Sequence, residues 1–185
     1  RIDFMEKLQK ACDEADASIT EHFPLARIAL SGSIEELLSR MPALEVEDMF
    51  KYQLSESRMQ DGVTGGAATG PHKSDMLVRY DLKNMAADQC STGEQKALLI
   101  GLILAHARLI KKAQGAPPLL LLDEVAAHLD DNRRAALYDL LYAMGGQVWM
   151  TGTDKSLFDA IKDKAQMIKV SDSHLVPETG HKTAA

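Results

Sequence analysis

Near the start of the chain, Phe4, Leu8, Cys12, Ala15, Ile19 and Phe23 recur every three or four positions, with acids and lysines between them. That period predicts one amphipathic helix ending before Pro24, because a proline disfavours helical geometry in the residue ahead of it. Leu25 to Leu30 then reads as a strand, and Ile34–Arg40 and Val46–Met59 as further helices bounded by Pro, Gly or Ser. Residues 1–61 are therefore expected to form an α-rich segment, and their charge pattern offers no site.

The pattern changes at Gly62-Val-Thr-Gly-Gly-Ala-Ala-Thr-Gly70-Pro71, a glycine-rich stretch that serves as the expected boundary. Beyond it, Met76–Leu82 predicts a strand, Lys83-Asn84 a turn, and Ser91 the start of a long helix reaching about Lys112. Leu119–Leu122 predicts a buried strand, Asp130–Met144 a helix, Gln147–Met150 a strand, Lys155–Ile161 a short helix and Gln166–Val170 a last strand. Strands alternating with helices predict an α/β fold with a mostly parallel sheet and crossover helices over residues 62–176, followed by a frayed tail at 177–185.

Composition narrows the classes. With 45% hydrophobic and 26% charged residues, the chain can bury a core, which excludes disorder. The net charge of -6 argues against coating nucleic acid through bulk positive charge, so any DNA contact must be local. Cys12 and Cys90 lack metal-ligand spacing and read as reduced thiols of a cytosolic protein. The uncharged run Ala97–Ala105 is too short to span a membrane, and the expectation is a soluble chain. The chain opens on Arg1 as if inside a helix, which suggests that a preceding portion is missing.

Two segments carry candidate chemistry. In Pro118-Leu-Leu-Leu-Leu-Asp-Glu124, four leucines run directly into two carboxylates. A parallel strand covered on both faces reads as a continuous apolar run, and ligands of open α/β sheets sit outside the carboxyl ends of strands. Period-two geometry would point Asp123 and Glu124 to different sides, one toward a hard cation such as Mg²⁺ and the other toward an attacking water. The alternative is a strand ending in a solvated acidic turn.

The second segment is Gln89-Cys-Ser-Thr-Gly-Glu-Gln-Lys96. Ser91 with Glu94, and Thr92 with Gln95, both fit a capping box, so a helix start is strongly encoded. Capping does not require Gly93, which costs about 1 kcal/mol in a helix relative to alanine but allows close backbone approach. Free N–H groups, the positive end of the helix dipole and small hydroxyl side chains suit an anion such as a nucleotide γ-phosphate.

Taken together, STGEQK, an apolar helix, LLLLDE, Ala126-Ala-His-Leu-Asp130 and Val148-Trp-Met-Thr-Gly-Thr-Asp154 resemble the C-terminal half of an ATP-binding cassette head. Within that superfamily the chain resembles the RecF family of recombination-mediator ATPases, because Thr69-Gly-Pro-His-Lys-Ser-Asp75 is similar to its GPH-basic-x-Asp stretch. The resemblance covers about residues 62–170, with residues 1–61 similar to the end of the family's arm domain. It implies that Ser91, Thr92, Gly93, Glu94 and Gln95 form the signature motif that meets the nucleotide. It makes Asp123 the Mg²⁺ residue and Glu124 the catalytic, water-orienting residue of a Walker B pair. Asp130 closes the D-loop, and Thr151 and Thr153 lie in the switch region.

The resemblance further implies ATP and Mg²⁺ as cofactors, an ATP-dependent homodimer, binding to DNA at single-strand to double-strand junctions or gaps, and recombination-mediator proteins as partners in DNA repair, replication and the SOS response. Weak ATP hydrolysis is expected of the full-length dimer and none of these residues alone. The departures are specific. Cys90 stands where many cassettes have leucine, Thr92 where transporters have glycine, and the switch region has no histidine. No G-x-x-x-x-G-K-[ST] phosphate loop occurs, and Gly65–Gly70 followed by Lys73-Ser74 is a decoy interrupted by Pro71 and His72. The other readings are a transporter ATPase subunit, a chromosome-organising ATPase, and an inactive dimerisation module.

Overall fold

The computed structural model describes residues 1–15 and 17–177, without the side chains of Ala17 and Ser18. The expected tail therefore lies almost wholly outside the described residues. The chain divides into two compact units, Arg1–Ala15 with Pro24–Ala105, and Asp16–Phe23 with His106–Ala185.

In the first unit, helix α1 covers Ile2–Asp13 and buries Leu8, Ala11 and Cys12, as the three-to-four spacing requires. The single helix expected up to Phe23 is instead broken: α1 closes at Glu14, and a separate turn, α2, covers Ala17–Thr20 in the second unit. The apolar period runs through both pieces, because Ile19 and Phe23 are also buried, so periodicity alone does not register the break. Strand β1, Ala26–Ser31, is followed by α3, Ser33–Leu38, and by the 22-residue α4, Ala43–Thr64. Helix α4 continues past its expected end at Met59 and through Gly62, a residue that weakens a helix interior by only about 1 kcal/mol. It stops at Gly65, which takes the left-handed conformation (φ 80°) that a side chain would strain.

Strand β2, Asp75–Tyr80, lies between β1 and the short β3, Met85–Ala86, in an antiparallel three-stranded sheet. This sheet presents the turn that precedes α5, Thr92–Gln114. Helix α5 buries Ala97, Leu98, Ile100, Leu102, Leu104 and Ala105, matching the uncharged run.

The second unit holds a parallel pair, although the sheet expected to be mostly parallel is not: among the described residues the other strand pairings are antiparallel. Strand β4, Leu120–Leu122, leads through a 3₁₀ turn at Val125–His128 into α6, Asp131–Met144, and returns to β5, Val148–Met150, with Leu120, Leu121 and Leu122 opposite Val148, Trp149 and Met150. Here α6 is the crossover helix. It buries Leu137, Tyr138, Leu141 and Met144 and ends at Gly145 (φ 75°). Lys155–Ile161 forms a 3₁₀ segment, and the Tyr138 hydroxyl donates to Leu157 O at 2.7 Å while its ring stacks on Phe158 with centroids 6.4 Å apart. Strands β6, Ile168–Ser171, and β7, His174–Pro177, make an antiparallel hairpin, so the last predicted strand has a partner that the sequence pattern did not show.

One expectation is corrected. Leu119–Leu122 is not covered on both faces: Leu119 and Leu121 are 55% and 73% exposed, whereas Leu122 is buried. Among the described residues β4 pairs with β5 alone. Side chains alternate along the strand, so one face of this two-stranded sheet is buried and the other is open.

Candidate functional site

Asp123 and Glu124 follow directly on the last residue of β4, and Thr151 follows directly on the last residue of β5. Parallel pairing brings these two carboxyl ends side by side, which is where the strands of an α/β sheet meet ligands. The two ends are stitched together. Thr151 N donates to Leu122 O at 3.1 Å, Glu124 N donates to Thr151 Oγ1 at 3.0 Å, and the Thr151 hydroxyl donates to Asp123 Oδ1. One hydroxyl thus fixes both members of the acidic pair.

The pair is exposed, as a ligand-facing role requires. Its geometry differs from the period-two expectation, because the strand has already ended at Leu122 and Glu124 sits in the left-handed region (φ 50°). A non-glycine residue there is strained by about 1 kcal/mol, a cost that the Thr151 contact helps to hold in place. Asp130 caps α6, its side chain accepting from Arg133 N at 2.9 Å, and lies exposed at the end of the same connection. Thr153 is exposed between Thr151 and Asp154. Asp154 turns back on the chain, and the Ser156 amide donating to it at 2.8 Å holds its carboxyl below the usual range.

The residues at the opening of α5 belong to the first unit. Ser91 and Thr92 are exposed, and Gly93, Glu94 and Gln95 are half-buried. The Ser91–Glu94 capping box is formed: Glu94 Oε2 accepts from Ser91 N at 3.0 Å and from Ser91 Oγ at 2.9 Å, and Glu94 N reaches Ser91 Oγ at 3.4 Å. The parallel Thr92–Gln95 box is not. Gln95 sends its side-chain amide to Cys90 O at 3.1 Å and Asp88 O at 3.3 Å, tying α5 to the preceding 3₁₀ turn. No Cβ contact constrains Gly93, so its backbone face is open.

Sequence reasoning passed over Lys83, which it placed only in a turn. The Lys83 ammonium pairs with Glu94 Oε1, and this contact, with the two Ser91 bonds, holds the Glu94 carboxyl down to about 2. No local signal connects a turn lysine with a carboxylate 11 positions later.

At Gly70–Ser74, Pro71–Lys73 is a single 3₁₀ turn, and His72 Nε2 lies 2.9 Å from Ala67 O. The decoy phosphate loop therefore forms no cradle that opens a helix. Among the described residues no group of three or more His, Cys, Asp or Glu side chains is placed to hold a metal ion. A hard cation with one or two carboxylates, water and phosphate oxygens as ligands remains compatible with Asp123.

No protein-family model matches the chain. Curated proteins do. The DNA replication and repair protein RecF of Rhizobium johnstonii (strain DSM 114642 / LMG 32736 / 3841) is 51% identical over 156 residues, 84% of this chain and 41% of that protein. Over these residues the chain belongs to the RecF family. RecF of Rhizobium rhizogenes (strain K84 / ATCC BAA-868) is 52% identical over 149 residues, and RecF of Rhizobium meliloti (strain 1021) 48% over 153 residues, covering 80% and 83% of this chain and 40% and 41% of those proteins. The chain thus spans about two fifths of the length of the RecF relatives it matches. A solved structure described as the recombination mediator protein RecF with ATP in the RecFOR pathway has a TM-score of 0.68 and 22% identity, covering 95% of this chain and 44% of that one. That likeness shows that this chain shares the α/β fold of the matching part of that structure.

Proposed function

We propose that these residues serve a RecF-type DNA repair and replication protein, an ATP-dependent, dimerising, DNA-binding ATPase that acts at gaps or single-strand to double-strand junctions and assists recombinase loading in recombinational repair and the SOS response. In this reading residues 1–61 end the arm and residues 62–176 form the C-terminal part of the head. The protein works in the cytoplasm with recombination-mediator partners. The observation that carries the reading is the pairing of Asp123, Glu124 and Thr151 at the adjacent carboxyl ends of two parallel strands. The curated relatives' name and the ATP-bound solved relative supply its biological context.

The residues divide the chemistry. Asp123, oriented by Thr151, is the exposed carboxylate suited to Mg²⁺, which when bound would neutralise phosphate charge. Glu124, held by its amide, orients the attacking water, with Thr153 beside the same loop and Asp130 at the end of the connection. Ser91, Thr92, Gly93, Glu94 and Gln95 open α5 toward the triphosphate bound by a second head, with the Thr92 and Gly93 amides meeting it while Ser91 N, Glu94 N and Gln95 N are bonded within the turn. Nucleotide that contacts only the dimer must strengthen it by linkage. The 185 residues contain no phosphate loop, so the reading assigns them no turnover of their own.

The test is made in the full-length protein. Glu124→Gln should preserve ATP-dependent dimerisation and slow ATP hydrolysis at least about tenfold, equivalent to about 1.4 kcal/mol of barrier. Ser91→Arg should leave ATP binding by the monomer intact and block pairing in light scattering. Unchanged turnover in the first variant removes Glu124 from the water-orienting role, and an undiminished dimer in the second removes the signature role of α5.

A further inference from the structure

We propose that Lys83 is a positioning residue for the opening of α5, acting through Glu94 to keep that opening receptive to a nucleotide anion. The proposal rests on the reading above, in which Ser91 to Gln95 meet the triphosphate of a second head.

Lys83 is not a loosely attached surface cation. It sits in the tight turn between β2 and β3, which is held by Asn84 N donating to Asp81 O at 3.0 Å and by Arg79 Nη2 donating to Asn84 O at 2.5 Å and to Asn84 Oδ1 at 2.8 Å. Asn84 itself takes a left-handed φ of 46°, a conformation asparagine tolerates better than most residues. From this fixed turn the Lys83 ammonium lies 5.5 Å from the centre of the Tyr80 ring and pairs with Glu94 Oε1. The other Glu94 oxygen is committed to Ser91 N and Ser91 Oγ. The carboxylate is thus divided, one oxygen to the lysine and the other to the helix start.

This division answers an electrostatic problem. A helix N-terminus attracts anions, but a carboxylate in its first turn already satisfies that preference and repels a second anion. Glu94 is needed for the capping box, so it cannot simply be removed. Lys83 cancels its charge from the side, leaving the Thr92 and Gly93 amides to face an arriving phosphate without an unpaired carboxylate beside them. An exposed ion pair contributes little to stability, so the effect should register on anion-dependent pairing more than on folding.

The experiment uses the full-length protein and ATP. Lys83→Met keeps an unbranched stem beside Tyr80 and removes only the charge. It should raise the ATP concentration needed for half-maximal dimerisation about fivefold, the upper end for an exposed ion pair. The thermal midpoint and ATP binding by the monomer should stay as in the parent. Lys83→Arg should restore pairing, and in a Glu94→Gln background Lys83→Met should add nothing, because there is no charge left to cancel. If Lys83→Met pairs like the parent while Ser91→Arg blocks pairing, the role of Lys83 is wrong and the signature reading stands. If the Lys83→Met effect persists undiminished beside Glu94→Gln, Lys83 does not act through Glu94. If Ser91→Arg also leaves pairing intact, both ideas fail together.

Discussion

At the scale of single residues, the two candidate clusters are each organised by one small hydroxyl side chain. Thr151 holds Asp123 and the amide of Glu124, and Ser91 shares the carboxylate of Glu94. Glu94, the partner of Ser91, responds to pH differently from an unattached carboxyl group. Glu94 ionises at about 2 in the folded chain, against an ordinary 4.5, first because of Lys83 and then because of Ser91. A depressed folded value means that its stabilising contribution is fully present above about 4.5 and is lost as pH falls through about 2. Lys83→Met removes the largest of those influences, so acid should release the start of α5 at a higher pH than in the parent. Glu94→Gln should abolish that portion of the pH dependence. Amide hydrogen exchange of residues 92–96 across an acid titration measures both, and identical profiles for parent and Lys83→Met would contradict the assignment.

At the scale of elements, what could be foreseen divides according to how local its cause is. The start of α5 was legible because a capping box is written within four consecutive residues, and α6 was legible because Asp130 caps it and Gly145 ends it. The β6–β7 hairpin was not. Its turn residues Asp172 and Ser173 both take positive φ, 49° and 62°, where the usual signal is a glycine. The contact between Thr151 and Asp123, 28 positions apart, follows only once β4 and β5 are known to be parallel neighbours, and the motif order suggested that without specifying the bond. Helix α6 is the element on which this neighbourhood depends, since it is the crossover joining the two strands. Leu137, fully buried, is its central anchor. Leu137→Ala should cost about 3 kcal/mol by cavity formation, read as a lower denaturant midpoint at unchanged slope. Tyr138→Phe, which removes only the bond to Leu157 O, should cost about 1 kcal/mol. If the order of the two were reversed, the hydroxyl rather than the apolar stripe would be what seats the helix.

For the molecule as a whole, the decisive mismatch is the strand that composition made look doubly covered. Leu119, Leu121 and Trp149 present an apolar face to solvent, with Leu121 directly opposite Trp149 in the parallel register, while Leu122 points inward. Apolar runs this dense are expected where helices cover both faces of a sheet, yet among the described residues only one face of β4 is closed. The relatives this chain matches are more than twice as long. The consequence can be measured on the 185-residue chain. Leu121→Thr should leave its unfolding free energy within about 0.5 kcal/mol, because an exposed side chain has little burial to lose. Leu122→Ala, one position along, should cost about 3 kcal/mol. An exposed apolar face also promotes self-association, so the Leu121→Thr chain should sediment with less concentration dependence than the parent. A loss of 2 kcal/mol or so in Leu121→Thr would mean that this face is already covered within the chain. The acidic pair at the tip of β4 would then stand on a closed sheet instead of a half-open one, and the site would have to be rebuilt from that starting point.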